Sequence, residues 1–184
     1  MLRFELEFAQ CLSRVKAEGV THVLNCAEGN GFGFCPSLRE HYESCGIAYK
    51  GIRAADVFTY DLSKFFSDAA DFIEASLQTP NNKVLVHCNQ GYSRSPTIVA
   101  AYFMIKQGKG ADEALKEIRD GRPVFPNHGF LKQLLRLHQQ LREPVPSPSS
   151  PPRPASVRTG SRKEALPPSS ARLLDDCSML ALHL

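Results

Sequence analysis

The sequence contains no CxxC pair of cysteines and no apolar run long enough to cross a bilayer. Its six cysteines are scattered along the chain, so neither a zinc site nor a disulfide framework is indicated. The longest apolar run, 98–105, is far shorter than a membrane span. The first ten residues carry two glutamates and no apolar stretch of signal-peptide length. These absences predict an intracellular protein with reduced thiols, in the cytoplasm, the nucleus or both.

Excess charge of either sign is also lacking. The formal net charge over 184 residues is only +3, so the overall balance predicts neither nucleic acid nor a membrane as a partner. A local basic pocket remains compatible with this balance.

Proline is scarce in most of the chain and concentrated near its end. Eight of the 13 prolines lie between Pro144 and Pro168. Such a segment buries too little apolar surface to offset its ordering entropy. The composition therefore predicts one domain at 1–142 and a Pro/Ser-rich disordered tail at 143–184.

Strand and helix patterns alternate along the predicted domain. Short apolar runs at 21–26, 47–52 and 83–88 are typical of strands, and stripes at helical spacing separate or follow them. Strands separated by helices predict an α/β fold, with a mostly parallel central sheet flanked by helices.

The segment "HCNQGYSRS", 87–95, follows the third predicted strand and precedes a predicted helix. Backbone N–H groups at such a turn converge on one anion, and Gly91 allows a tight closure. Arg94 offers a planar fork for two phosphate oxygens. Cys88, at the base of this positive cup, is expected to ionise easily and to attack phosphorus. The neighbours with supporting roles are Ser95 as donor to the sulfur, His87 as a brace of the loop, and the phosphate-binding residues Asn89, Gln90, Gly91, Tyr92 and Ser93.

The ordinary alternative is a strand-to-helix turn that happens to carry a buried cysteine, because single cysteines are usually inert. Four residue types at fixed spacing, in the required context, favour the catalytic interpretation.

The pattern HCxxGxxRS is the signature of the cysteine-dependent protein tyrosine phosphatase superfamily. The wider text, including "THVLNCAEG", "GIRAADVFTYDLS" and "IRDGRPVFPNHGFL", resembles the small atypical dual-specificity phosphatases of the vaccinia-H1-related type over about residues 10–141. The resemblance implies hydrolysis of phosphotyrosine and phosphoserine/phosphothreonine in proteins through a phosphocysteine. It implies no metal or other cofactor, and substrates such as mitogen-activated protein kinases.

The resemblance also assigns roles outside the loop. It places the general acid on Asp56, 32 residues before Cys88, whereas Asp61 is a competing candidate that more often would cap a helix. It assigns Arg122 to a second substrate phosphate, with a solvated surface charge as the alternative. Asn127 matches an asparagine that braces the phosphate loop, and it can equally cap a helix.

Three departures from the family pattern stand out. The early strands of the family are missing, which predicts an exposed edge on the strand that carries Cys88 unless "RFELEF" at 3–8 replaces them. His128 stands where an acidic residue is expected. Two roles are open for Cys26, a regulatory disulfide with Cys88 or a buried bystander.

Rival functions follow from these features. A phosphoinositide phosphatase is disfavoured because the loop positions between Cys88 and Arg94 are neutral. A non-catalytic or weakly active phosphoprotein-binding regulator remains the alternative, because the start of the domain is short. The oligomeric state is left open.

Overall fold

The computed structural model describes residues 8–143 and 180–182. In chain order the elements are α1 (Leu12–Ala17), β1 (His22–Asn25), α2 (Arg39–Glu43), β2 (Ala48–Gly51), a 3-10 helix (Ser63–Phe65), α3 (Phe66–Leu77), β3 (Val84–His87), α4 (Arg94–Gln107), α5 (Ala111–Gly121), α6 (His128–Arg142) and β4 (Leu180–Leu182). The observed strands β1, β2 and β3 lie within the three apolar runs that the sequence predicts to be strands.

The sheet has the order β2-β1-β3-β4. The first three strands are parallel, with Asn25 of β1 opposite His87 of β3 and Gly51 of β2. Their carboxyl ends therefore meet at one edge, where ligands bind in open α/β sheets. The predicted α/β fold with a mostly parallel sheet is confirmed.

The outer edge of β3 is covered by β4, which runs antiparallel and pairs Leu180 with Val86 and Leu182 with Val84. This strand lies in the range predicted to be a disordered tail, so that prediction does not hold for 180–182. The edge predicted to be exposed is paired over these three residues, which removes free backbone groups that would otherwise attract other strands. The rest of the tail, 144–179 and 183–184, and most of "RFELEF" lie outside the described residues.

Apolar side chains pack on both faces of the sheet because successive strand residues point to opposite sides. On β3, Val84 and Val86 join the larger core with helices α3 to α6, whereas Leu85 joins the smaller core with Val15 and Tyr42. Helix α4 lies deep in the larger core, and its residues 94–104 are all buried. This burial fixes the helix whose first residue is Arg94.

Helix α4 ends at Gly108, which adopts the left-handed conformation with a φ of 69°. Glycine is the residue that most readily adopts this conformation at a helix end. Among the helices that the structure describes, none is long and apolar enough to cross a membrane.

Candidate active site

The phosphate loop, defined as residues 87–95, joins β3 to α4. Cys88 follows the last residue of β3 and is only 1% exposed. Two donors reach its sulfur: the Gly91 N–H at 3.2 Å from Sγ and the Ser95 hydroxyl at 3.3 Å. Gly91 has a φ of 69°, which a residue with a side chain adopts only with strain. The loop therefore curls around the sulfur and points hydrogen-bond donors at it.

Arg94 is the first residue of α4 and is 3% exposed. Its Nη1 donates to the carbonyl oxygens of Gly33 at 2.8 Å and Ala54 at 3.1 Å. These bonds hold the guanidinium plane beside the loop. Its Nε lies 3.5 Å from Asp56 Oδ2, but this contact is not a hydrogen bond. Arg94 Nε is therefore a buried donor without a hydrogen-bond partner among the described residues. Because an unsatisfied buried donor is costly, a phosphate oxygen would be a favourable acceptor here.

Asp56 lies beside the phosphate loop, with 34% of its side chain exposed. Its Oδ1 accepts hydrogen bonds from the Ser93 hydroxyl and the Asn127 amide, both at 2.8 Å. The carboxylate is thus held at the mouth of the cup that contains Cys88. This placement is what a general acid for a departing oxygen requires.

Asp61, the competing candidate for the general acid, does not line the cleft beside the phosphate loop. Its Oδ1 accepts from the backbone N–H and the hydroxyl of Ser63, at the start of the 3-10 helix. Asp61 thus forms a local turn just before the 3-10 helix, whose N-cap is Leu62, so it is not the N-cap that the alternative interpretation expected.

Asn127 combines the two roles left open for it. Its Oδ1 accepts from Phe130 N at 3.0 Å, so it caps α6. Its amide donates to Asp56, and its backbone N–H donates to Ser93 Oγ at 3.1 Å. The start of α6 is therefore bonded both to the acid and to the phosphate loop.

Two contacts from α6 were missed by sequence reasoning. Gln133 is 9% exposed, and its Oε1 accepts from the backbone N–H groups of Leu62 and Ser63 while its Nε2 donates to Tyr60 O. A Cβ at Gly129 would lie 2.0 Å from the carbonyl oxygen of Phe58. The acid loop, defined as residues 52–62, therefore packs directly on α6. The sequence offered one signal for the Gln133 contact, because a polar residue interrupts an apolar helical stripe at this position.

His87 and Asn89 lie at the base and the side of the phosphate loop. His87 is 3% exposed, and its Nδ1 lies 3.3 Å from the Cys88 carbonyl oxygen, which can only accept. Burial lowers the pKa of His87 to about 4. The Asn89 amide donates to Phe34 O. Asn89 therefore ties the loop to the Phe34 segment, whereas the contact of His87 lies within the loop, and its bracing role stays a prediction.

Arg122 also contacts the phosphate loop. Its Nη2 donates to Gly91 O at 2.9 Å, and its guanidinium lies 6.0 Å from the Tyr92 ring centroid. Tyr92 in turn packs near Phe125, with ring centroids 6.3 Å apart. Arg122 thus braces the loop from outside, and its expected contact with a second phosphate stays a prediction.

A cleft of about 620 Å³ opens above the loop. Its walls come from the segment that carries Phe32 and Phe34 and from the acid loop, and Gln90 and Arg94 line its floor. Within the described residues no cluster of side chains has the makeup of a metal site.

Cys26 lies next to the site as a buried free thiol. Its backbone N–H donates to His87 O at 2.7 Å. Burial, and then the neighbouring Cys88, raise the pKa of Cys26 well above the ordinary thiol value. A protonated thiol is a poor nucleophile, which favours the bystander role over ready disulfide formation.

Comparison with known proteins agrees with this geometry. The family model for the catalytic domain of dual specificity phosphatases matches residues 7–140. Human dual specificity protein phosphatase 26 is 45% identical over 125 residues, which cover 68% of this chain and 57% of that protein. The bovine protein is 42% identical over 137 residues, covering 74% of this chain and 63% of that one. The chain therefore spans less than two thirds of the length of these relatives.

Solved structures agree as well. The crystal structure of DUSP15 has a TM-score of 0.60 and 30% identity, covering 76% of this chain and 88% of that one. Human tyrosine phosphatase-like serine/threonine/tyrosine-interacting protein has a TM-score of 0.60 and 28% identity, covering 71% and 84%. The chain belongs to the dual specificity phosphatase family, as an atypical member within the cysteine-dependent protein tyrosine phosphatase superfamily.

Proposed function

We propose that this protein is a dual-specificity protein phosphatase that hydrolyses phosphotyrosine and phosphoserine/phosphothreonine through a phosphocysteine. The observation that carries the proposal is that Arg94, with its unpartnered buried Nε, and Asp56 line one cleft, whose floor is the loop that curls around the Cys88 sulfur. These groups supply a nucleophile, a phosphate clamp and a proton donor, which together suffice for phosphoryl transfer.

In the first step the Cys88 thiolate attacks phosphorus and the bond to the substrate oxygen breaks. Asp56 gives its proton to that oxygen, so that the product leaves as a neutral alcohol or phenol. Arg94 and the loop N–H groups stabilise the charge on the three equatorial oxygens. The products of this step are the dephosphorylated protein and phosphocysteine.

In the second step water attacks the phosphocysteine and the S–P bond breaks. The Asp56 carboxylate takes a proton from the water, and inorganic phosphate forms. The Ser95 hydroxyl, which donates to Sγ at 3.3 Å, stabilises the thiolate that leaves. Asp56 ends the cycle protonated and Cys88 ends it as a thiolate, so both groups are ready for the next turnover.

The exposed rim of the cleft supports dual specificity. Its walls are the short segment with Phe32 and Phe34 on one side and the acid loop on the other, and Phe32 and Val57 are exposed. A shallow cleft accepts the longer phosphotyrosine and the shorter phosphothreonine. Phosphoprotein substrates follow from this proposal, and mitogen-activated protein kinases are the class that the family resemblance favours.

The five cysteines within the described residues are free thiols, which supports action in the reducing cytoplasm or nucleus.

The alternative is a phosphoprotein-binding regulator with little or no turnover. The structural similarity to a human protein named as tyrosine phosphatase-like keeps this alternative in view. The presence of Arg94 and Asp56 in one cleft, over the loop that holds Cys88, favours the enzyme.

Phosphate release without added metal tests the proposal. The substrates are p-nitrophenyl phosphate and two peptides, one with phosphotyrosine and one with phosphothreonine. Cys88→Ser is the control, with circular dichroism to show that both proteins are folded. We expect release from all three substrates and a loss of at least about a thousandfold in Cys88→Ser. A folded wild-type protein that binds phosphopeptide without releasing phosphate would support the regulator instead.

A further inference from the structure

A second cleft, of about 710 Å³, lies next to the one above the phosphate loop. The acid loop lines one side of it with Asp56, Val57 and Phe58, and α6 lines the other side with His128, Gly129 and Lys132. Asp56 and Val57 line both clefts. A substrate chain whose phosphorylated residue fills the first cleft therefore has a continuous path over these residues into the second.

The cation of the second cleft, Lys132, is on α6 beside His128. His128 and Lys132 are four residues apart, so they share one face of the helix. Asp56 is the acidic residue in the lining, and its Oδ1 is already bonded to Ser93 and Asn127. Its Oδ2 lies 3.5 Å from Arg94 Nε, so the charged partner of Asp56 is on the phosphate loop, and the α6 side of the cleft is positive through Lys132.

Lys132 differs from the other lysines in the described part of the chain. Four of them, Lys50, Lys106, Lys109 and Lys116, form ion pairs with carboxylates. Others contact a carbonyl oxygen, aromatic rings or a thiol, as Lys83, Lys64 and Lys16 do. Within residues 8–143 no such partner is found for Lys132. An exposed cation at the wall of a cleft, without a partner of its own, is suited to an anion brought by the substrate.

The opposite wall has an apolar rim. Val57 is 49% exposed and Phe58 is 73% exposed. The backbone of Phe58 packs directly against α6. This close approach is possible because Gly129 has no side chain. This wall can contact the aliphatic part of a side chain while Lys132 contacts its charged end.

We propose that the second cleft binds a negatively charged side chain of the protein substrate, close in sequence to the residue being dephosphorylated, and that Lys132 is the main determinant of this preference. The charge is a carboxylate or a second phosphate. This inference rests on the proposed function and deepens it. Arg122, to which the family resemblance assigns a second phosphate, does not line this cleft and is bonded to the phosphate loop.

The test compares Lys132→Glu and Lys132→Ala with Lys116→Glu. Lys116 is an exposed lysine on α5 that lines neither cleft, so Lys116→Glu carries the same change in net charge as Lys132→Glu. The substrates are phosphotyrosine peptides with alanine at the four positions on each side. Two further sets place a single glutamate or a single phosphothreonine at each of those positions. p-Nitrophenyl phosphate serves as a substrate that cannot reach the second cleft.

We expect kcat/KM of wild type to rise when an acidic residue occupies one or two of the scanned positions. Lys132→Glu should remove that rise and lower kcat/KM for those peptides about three- to tenfold, since attraction becomes repulsion at an exposed site. Lys132→Ala removes the attraction without adding repulsion, so its decrease in kcat/KM on acidic peptides should be smaller. Activity on the alanine peptide and on p-nitrophenyl phosphate should stay within about twofold, and the differences should shrink in 0.5 M salt.

Equal losses on acidic and neutral peptides, or the same loss in Lys116→Glu, would overturn the assignment of the second cleft. Peptide affinities measured by fluorescence anisotropy on the Cys88→Ser background separate this failure from failure of the proposed function. That binding comparison reports on Lys132 whether or not the wild-type protein turns over p-nitrophenyl phosphate. The glutamate and phosphothreonine sets show which anion the cleft prefers.

Discussion

The phosphate loop and the acid loop meet at the same cleft but are built differently. The phosphate loop joins a buried strand to a buried helix, and its Cys88, Ser93, Arg94 and Ser95 are all buried. The acid loop has no regular structure over most of its length, and its Val57 and Phe58 are exposed. The curl of the first loop around the sulfur comes from contacts within the loop, although Phe34 and Arg122 also hold it from outside. The second is held by α6, about 70 residues further along the chain.

Because of this difference, the groups that bind and attack the phosphate are positioned by other contacts than the group that transfers the proton. The two hydrogen-bond donors found for the Cys88 sulfur among the described residues, Gly91 N–H and the Ser95 hydroxyl, come from within seven residues of it. Asp56 is placed by Ser93, Asn127 and the backbone contacts of Gln133 and Gly129. Changes in the phosphate loop should therefore abolish the reaction, whereas changes on α6 should weaken the steps that depend on Asp56.

The largest effect is expected at Arg94. Arg94→Ala removes the clamp that contacts the phosphoryl oxygens in the transition state, so kcat should fall about a thousandfold or more. Arg94→Lys keeps the charge but lacks the planar fork and the Nε, and most of the loss should remain. Steady-state release from p-nitrophenyl phosphate measures both variants. Recovery of activity in Arg94→Lys to within a few-fold would show that charge alone suffices.

Asp56→Asn should have the next largest effect. An amide cannot protonate the leaving oxygen, so kcat on a phosphotyrosine peptide should fall about a hundredfold. The loss should be smaller for aryl phosphates whose phenols are more acidic, because these leave without help. Asp61→Asn is the matched control and should change kcat little, since Asp61 contacts Ser63 and not the cleft. A larger loss in Asp61→Asn than in Asp56→Asn would reverse the assignment of the acid.

Gln133→Leu should reduce activity through Asp56. The leucine fills a similar space but leaves Leu62 N, Ser63 N and Tyr60 O without their partner, which should lower the free energy of unfolding by about 1–3 kcal/mol. A looser acid loop should lower kcat about tenfold on phosphotyrosine peptide, and less on substrates with acidic phenols.

A double-mutant cycle tests whether Gln133 acts through the acid. In the Asp56→Asn background, Gln133→Leu should cause little further loss of kcat, because the group that it positions is already absent. Additive losses in the cycle would mean that Gln133 affects the site by some other route.

The sequence alone predicted the phosphate loop well and the acid loop only in part. The position of Cys88 and Arg94 between a strand and a helix follows from local apolar patterns and from a short motif. Asp56 was selected by resemblance, since nothing local distinguishes it from Asp61. Gln133 and Gly129 were missed because their roles depend on contacts between distant segments. The strand at 180–182 was also missed, because a short apolar run after a proline-rich segment carries no information about which edge it will meet.

At neutral pH the smallest effect is expected at His87, which lies at the base of the phosphate loop. Burial lowers its pKa to about 4, whereas an unfolded histidine titrates near 6.5. The unfolded state therefore binds the proton more tightly. The stability of the folded state should be complete above pH 6.5 and should fall as the pH decreases towards 4, by about 2 kcal/mol at pH 5.

Urea denaturation at pH 7.5 and pH 5 measures this loss in the wild type and in His87→Gln. The variant should lose about 2 kcal/mol less than the wild type between the two pH values, whatever its stability at pH 7.5. If His87→Gln and the wild type lose the same amount, His87 is not a buried neutral group at the base of the phosphate loop.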